Sequence, residues 1–269
     1  LEQLVTRVKD KIPIAKGLIE VINTRNDWLS DKNLLLCCTR ILKDIRCELS
    51  ESEREKLRGQ LKVLTTEGTI EWSNQVYFSS EYRPSEDWFK WKKERKLEEY
   101  RIEIGSFLSE EYLEFGDKEI WKEFFKHFGV KETLPAERKE VIERFAEGFV
   151  REKLEELGYK ILETYGYSKY GNESETYDFK VEKNGRELYI EVKGRRKIPS
   201  SVDLTEAQTE AAKKYRNRYV VIIVFNIPNN PTLSVIRNPI EKVREKLTIA
   251  QDIIMAHIAE IDDLQRLLS

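Results

Sequence analysis

Apolar residues recur at helical spacing through most of the first half of the chain, and the period changes after Pro135. Residues 3–23 follow the helical pattern, with Pro13 placed to start, kink or end a helix. Residues 34–45, Leu-Leu-Leu-Cys-Cys-Thr-Arg-Ile-Leu-Lys-Asp-Ile, read as a buried helix. Ser50 suits the N-cap of another, because Ser-Glu-Ser-Glu-Arg-Glu-Lys-Leu puts acids into its first turn. Residues 69–79 read as two short strands around Ser73-Asn74, a small hairpin. Helix followed by hairpin is loosely the order of a winged helix, too loose to carry a function. Between 86 and 129, Trp88, Trp91, Trp121, Phe124, Phe125 and Phe128 recur at roughly helical spacing. Core packing is the preferred reading of that stripe, ahead of base-stacking platforms. Gly129 stops the helix, and Thr133-Leu134-Pro135 marks a boundary, because proline and its predecessor disfavour helix.

Residues 136–157 predict a long amphipathic helix with Val141, Phe145, Phe149, Leu154 and Leu157 near one face and Gly158 as its stop. Strands are predicted over 159–165, 177–183 and 186–194, a helix over 204–217, a strongly apolar strand over 219–226 and a short one over 233–237. Asn238-Pro239 then caps a helix running to Leu268. The expected organisation is a mainly helical region over 1–135, an αβββαβ domain over 136–240 and a C-terminal amphipathic helix over 239–269, an α+β or α/β chain. The apolar face of that last helix would dock on its own domain or form a homodimer contact, without the heptads of a coiled coil.

Composition narrows the function classes. Charged residues make up 36% of the chain, but 47 Lys and Arg nearly cancel 49 Asp and Glu, so any nucleic-acid surface must be local. Cys37, Cys38 and Cys47 lie in one apolar stretch without CxxC spacing, and His127 and His257 are far off in sequence. Reduced buried thiols in a cytoplasmic protein are therefore expected rather than a zinc site. No apolar run approaches the roughly 18 residues of a membrane span. The chain starts at Leu1 and reads as a piece of something longer.

The chemistry concentrates in one hairpin. Asn184-Gly185 between alternating strands is a strong type I′ turn signal. With those two as the loop, Val181 faces Leu188, Phe179 faces Ile190, and Asp178 faces Glu191. Tyr177, Phe179, Val181, Leu188, Ile190 and Val192 then form a core face, while Asp178, Lys180, Glu182, Tyr189, Glu191 and Lys193 share the other. Directly opposed carboxylates, about 5 Å apart at Cβ, repel unless a cation sits between them. Mg²⁺ (or Mn²⁺) is the natural occupant, since it uses one or two carboxylates plus water and phosphate. Lys193, on the same face, is placed to orient a water or to stabilise charge on a phosphate. Acid-x-Lys alone is common on solvated strands; the register and the apolar opposite face are what raise it.

Thr176-Tyr177-Asp178-Phe179 followed by Tyr189-Ile190-Glu191-Val192-Lys193-Gly194 resembles the PD-(D/E)xK nuclease superfamily. More closely, these segments resemble the domain named after the C-terminus of the plant NO VEIN protein, as do Val202-Asp203-Leu204-Thr205, residues 219–224 and Arg237-Asn238-Pro239. The resemblance covers about 136–240. It implies a mixed four-stranded sheet flanked by helices, Asp178 and Glu191 as metal ligands, Lys193 as the catalytic lysine, and an upstream ATPase or helicase region in the same protein. Tyr177 stands where the superfamily's name has proline. Glu147 lies where the superfamily often places another acidic ligand, although beside Glu143, Arg144 and Arg151 it also reads as one of many solvated helix charges. Gln208 matches a glutamine that touches the site in related exonucleases, while Thr205-Glu206-Ala207-Gln208 also reads as a capping box. Tyr215 is a weaker candidate. Arg195, Arg196 and Lys197, with Lys213, Lys214 and Arg216, flank the hairpin as candidate phosphate contacts. The expected function is thus Mg²⁺-dependent hydrolysis of DNA in a restriction, defence or DNA-processing setting. The rival expectation is a non-cleaving nucleic-acid-binding or regulatory module; a third is that 1–135 form a helical interaction domain, with the nuclease directed by an upstream part of the protein.

Overall fold

The computed structural model describes residues 12–24, 31–45, 51–52, 61–165, 176–242 and 248–259. Two compact units divide the chain: Leu1–Lys93 with Ile104–Leu134, and Glu94–Glu103 with Pro135–Ser269.

In the first unit, α1 (Ile12–Thr24) carries Pro13 in its first turn, where the missing N–H costs no helical bond. Residues 3–11 of the expected helix, Cys47 and the Ser50 cap lie outside the described residues. Helix α2 (Lys32–Ile45) buries Leu35, Leu36, Cys38, Ile41, Leu42 and Ile45, and neither Cys37 nor Cys38 is in a disulfide. Strand β1 (Lys62–Leu64) pairs antiparallel with β2 (Ile70–Trp72). This corrects the hairpin expected over 69–79. The turn falls at 65–69, where Gly68 supplies φ +76°, and Ser73-Asn74 instead enter a 3-10 turn. Short helix α3 (Phe89–Lys93) belongs to this unit, α4 (Lys96–Glu99) to the second, and α5 (Lys118–His127) again to the first. The tryptophans and phenylalanines are core, as expected: Trp88, Trp91, Trp121, Phe124, Phe125 and Phe128 are all buried, and Trp121 stacks on Phe125 at 5.4 Å.

The second unit opens its sheet domain with α6 (Lys139–Glu156), which ends where Gly158, at φ +79°, lets the Gly158 and Tyr159 N–H groups close on Glu155 and Leu154. There follow β3 (Lys160–Thr164), β4 (Phe179–Lys183), β5 (Arg186–Gly194), β6 (Ser201–Asp203), α7 (Glu206–Tyr215), β7 (Tyr219–Phe225), β8 (Thr232–Arg237), α8 (Pro239–Lys242), β9 (Thr248–Ala250), α9 (Gln251–Ala256) and β10 (Ile258–Ala259). The main sheet has the order β10-β8-β7-β5-β4-β3, with β5 and β7 parallel and the other neighbours antiparallel. The architecture is mixed α and β, as the sequence predicts. Helix α6 packs across β5 and α7 against β7. Strand parity separates the helices: Gly194 of β5 abuts Ile142 and Ala146 of α6, whereas Glu191 and Lys193 meet Gln208 of α7.

The long C-terminal helix expected over 239–268 is not what forms among the described residues. In its place stand α8, β9, α9 and β10, and β9 pairs with β6 to make a second, two-stranded sheet. Thr248 and Ile249 are β-branched and favour extended backbone, and Ile249 and Ile254 are buried in the α7-side core. Residues 94–103 also join this unit. The Tyr100 ring fills the space over Gly148, stacks edge-on against Phe145 at 5.6 Å and donates its hydroxyl to Glu152 at 2.7 Å. No helix among the described residues is long and apolar enough to cross a membrane.

Candidate active site

Asn184 and Gly185 adopt φ +55° and +77°, as a type I′ turn requires, and set the register Lys183↔Arg186, Val181↔Leu188 and Phe179↔Ile190. The predicted ladder therefore forms, but it ends at Phe179. Asp178 donates its N–H to the Ile190 carbonyl at 2.9 Å, one residue short of Glu191, so it leaves the ladder instead of facing Glu191 directly. The loss of alternation moves Tyr177 off the Phe179 face; its ring lies edge-on to Tyr189 at 5.1 Å. The Asp178 carboxylate turns back over β5, and its Oδ2 accepts the Val192 N–H at 2.7 Å.

Glu191 is 3% exposed, in the middle of the sheet. Its Oε1 accepts from Lys193 Nζ at 2.6 Å and from Gln208 Nε2 at 2.6 Å. Lys193 also donates to Gln208 Oε1 at 3.2 Å, and that same oxygen accepts the Thr205 N–H at 2.9 Å. Gln208 is therefore both the third residue of a capping box and a strut between Glu191 and Lys193. Each acid is held by one oxygen. Among the described residues, Asp178 Oδ1 and Glu191 Oε2 accept no hydrogen bond.

Burial raises both carboxyl groups above the usual carboxylate range, and for Glu191 the Asp178 charge adds to it. Lys193 opposes the rise at both, as does the Val192 N–H at Asp178. Glu143 of α6 raises both further. Its Oε2 accepts the Gly194 N–H at 2.6 Å and its Oε1 pairs with Arg195 at 2.9 Å, fixing the two residues after Lys193. Sequence reading pointed to Glu147, one turn further along α6 and half-buried. Two acids one turn apart on a helix cannot be ranked by periodicity alone. Tyr219 was also missed: it is fully buried, and its hydroxyl donates to the Thr176 carbonyl at 2.6 Å, anchoring the approach to Asp178.

Such a pair suits a hard divalent cation, since one ammonium, Lys193, faces two carboxylates that each keep an open oxygen. Among the described residues no group of three or more His, Cys, Asp or Glu could hold a metal, so water and a ligand would have to complete the shell.

The candidate phosphate contacts are dispersed. Arg195 is engaged by Glu143 and Arg196 donates to the Pro135 carbonyl at 3.0 Å, while Lys197 is exposed. Lys213 pairs with Glu210, Lys214 lies over the Tyr215 ring, and Arg216 is exposed at the end of α7. Tyr215 stacks on Tyr189 at 3.6 Å, so the second cluster sits toward the start of β5 and the first beyond its end.

Residues 142–236 match the family described as Protein NO VEIN, C-terminal. The matched span holds Glu143, Glu147, Asp178, Glu191, Lys193 and Gln208, and so contains the whole site. No curated protein matches the chain.

Proposed function

We propose that the chain is a metal-dependent nuclease of the PD-(D/E)xK type that hydrolyses phosphodiester bonds of DNA. The observation that carries this reading is a pair of carboxylates, Glu191 buried and Asp178 half-buried, each tied by one oxygen, with the Lys193 ammonium 2.6 Å from the deeper one. Asp178 and Glu191 would hold Mg²⁺ or Mn²⁺, with water and phosphate completing the shell, since Glu147 does not group with them as a third ligand. Such an ion, when bound, supplies Lewis-acid polarisation of a phosphoryl oxygen.

The chain's own residues do the remainder. Lys193 spends two donors on Glu191 and Gln208 and keeps a third for an attacking water or a phosphate oxygen. Gln208 holds that ammonium in place through an oxygen itself fixed by the α7 cap. Glu143 is a positioning residue, because it grips the backbone immediately after Lys193. In the reaction, water adds its oxygen to phosphorus, the P–O bond to one deoxyribose oxygen breaks, and that oxygen leaves with the proton the water gives up.

The test is incubation of the protein with double- and single-stranded DNA and with RNA, with and without Mg²⁺ or Mn²⁺. Wild type should cleave DNA only with the ion, and Lys193→Ala should lose about 10²-fold or more in rate. Equal cleavage by both proteins, or none by wild type on any substrate, sinks the reading and leaves the non-cleaving binding module.

A further inference from the structure

Strand β5 points Tyr189, Glu191 and Lys193 to one side, toward α7, with two strand steps, about 7 Å, between successive members. Next to the acid pair this face is aromatic. Tyr189 is buried, and Tyr215, the last residue of α7, stacks on it with ring centroids 3.6 Å apart. Tyr177 stands edge-on to both rings, at 5.1 and 6.4 Å. The Arg218 guanidinium lies 5.7 Å from the Tyr189 centroid and 5.9 Å from that of Tyr215. A cation above an outer face would be much nearer one ring than the other, so Arg218 sits at the rim of the stack and borders both. Tyr189 covers one face of Tyr215; Lys214 lies over the ring with its ammonium 5.0 Å from the centroid.

The cations of this corner differ from many others on the surface. Arg95 is matched to Glu98, Arg151 to Glu155 and Lys213 to Glu210. Lys214, Arg216 and Arg218 are exposed and, among the described residues, pair with no carboxylate. Glu187 of β5 is held by Lys180 and Glu210 of α7 by Lys213, so both acids are engaged elsewhere. Three unpaired cations so close in sequence repel one another and favour an anionic partner. A half-exposed aromatic ring bordered by such groups suits an unpaired nucleotide, because the ring stacks the base and the cations meet the phosphates on either side. A duplex keeps its base faces in its own stack, so an unpaired strand is the form that can use the ring.

We propose that Tyr215, Lys214, Arg216 and Arg218 form a binding surface for single-stranded nucleic acid, with an unpaired base on the Tyr215 ring and phosphates against the three cations. Lys214 is a flexible chain and exchanges the ring for a phosphate when the base arrives. The surface adjoins Glu191 on the same face of β5, so a strand bound there runs on to the acid pair. Only that last point rests on the nuclease reading; binding needs neither metal nor cleavage.

Its test is fluorescence anisotropy on the full chain in EDTA, with a labelled thymidine oligomer of about 12 nucleotides and a duplex of equal length. The single strand should bind at least about tenfold more tightly than the duplex. Tyr215→Leu, which keeps an apolar group against Tyr189, should weaken single-strand binding about tenfold and leave duplex binding unchanged. Arg216→Gln and Arg218→Gln should each reduce the slope of log affinity against log salt by about 0.7. Arg216 is exposed, so its variant and the strand preference of wild type decide the matter should Tyr215→Leu fail to fold. Equal affinity for both strand forms, no binding by wild type, or wild-type binding by both Tyr215→Leu and Arg216→Gln overturns the surface. Cleavage enters none of these outcomes, so failure of this surface and failure of the nuclease reading are told apart.

Discussion

At Gln208 a single carboxamide joins the helix cap to the acid-lysine pair, its oxygen taken by Thr205 N–H and Lys193 and its nitrogen given to Glu191. Local capping and chemistry are often offered as competing explanations of such a residue, and here one geometry serves both. The neighbouring acids set a pH dependence. Asp178 and Glu191 have folded-state pKa values above their unfolded ones, so the native state binds protons more tightly and stability falls as pH rises from the carboxylate range toward neutral and beyond. Chemical denaturation in EDTA at pH 5 and pH 8 should show the loss, on the order of 1–3 kcal/mol after other groups are matched in an Asp178→Asn, Glu191→Gln reference. Adding Mn²⁺ at pH 8 should restore stability in wild type only. A wild type whose pH profile coincides with the reference would contradict the assigned burial. Of these residues, Asp178, Glu191 and Lys193 were legible from type and spacing, whereas spacing gave Gln208 only as a cap and the family resemblance alone pointed it at the site. Glu143 was not, because its partners are backbone and Arg195 across a tertiary contact that no local pattern encodes.

The two glycines at either end of the β5 segment, Gly185 in the turn before it and Gly194 as its last residue, are constrained differently. Gly185 needs positive φ but has open space where a side chain would go; Gly194 has ordinary φ but a Cβ there would meet the Ile142 carbonyl at 2.6 Å. Gly185→Ala should therefore cost about 1 kcal/mol, all of it backbone. Gly194→Ala should cost about 2–3 kcal/mol, because it pushes β5 off α6. It should also lower any metal-dependent activity by displacing Lys193. Equal denaturation midpoints for the two variants would refute the distinction. The hairpin was readable because Asn-Gly fixes register locally, and the Phe179 and Val181 pairs follow from it. The departure of Asp178 from the ladder was not, since it arises from a bond to Val192 that alternation does not anticipate. The C-terminal segment misled for a related reason: apolar residues spaced like a helix can equally serve short strands when a distant edge such as β6 is there to pair with them.

For the molecule as a whole, sequence order and spatial grouping part company at residues 94–103. They precede 104–134 in the chain yet belong with the sheet unit. Tyr100 gives that grouping its energy through the Gly148 gap, the Phe145 ring and the Glu152 carboxylate. Tyr100→Ala should destabilise the sheet unit by about 2–4 kcal/mol, whereas Tyr100→Phe should lose only the hydroxyl bond, about 1 kcal/mol. Urea titrations followed by far-ultraviolet dichroism would separate the two, and a neutral alanine variant would mean the segment is merely draped there. Fold class and core aromatics could be read from periodicity, but a ten-residue excursion between units carries no periodic signature.

The position of Glu191 has one more consequence. It stands in a strand with partners on both sides, β4 and β7, and helices over both faces. Fraying, which opens loops and edges at little cost, does not reach such a strand; its amides are released only when the domain as a whole unfolds. Glu191 and Lys193, both on this strand, thus share the lifetime of the folded core.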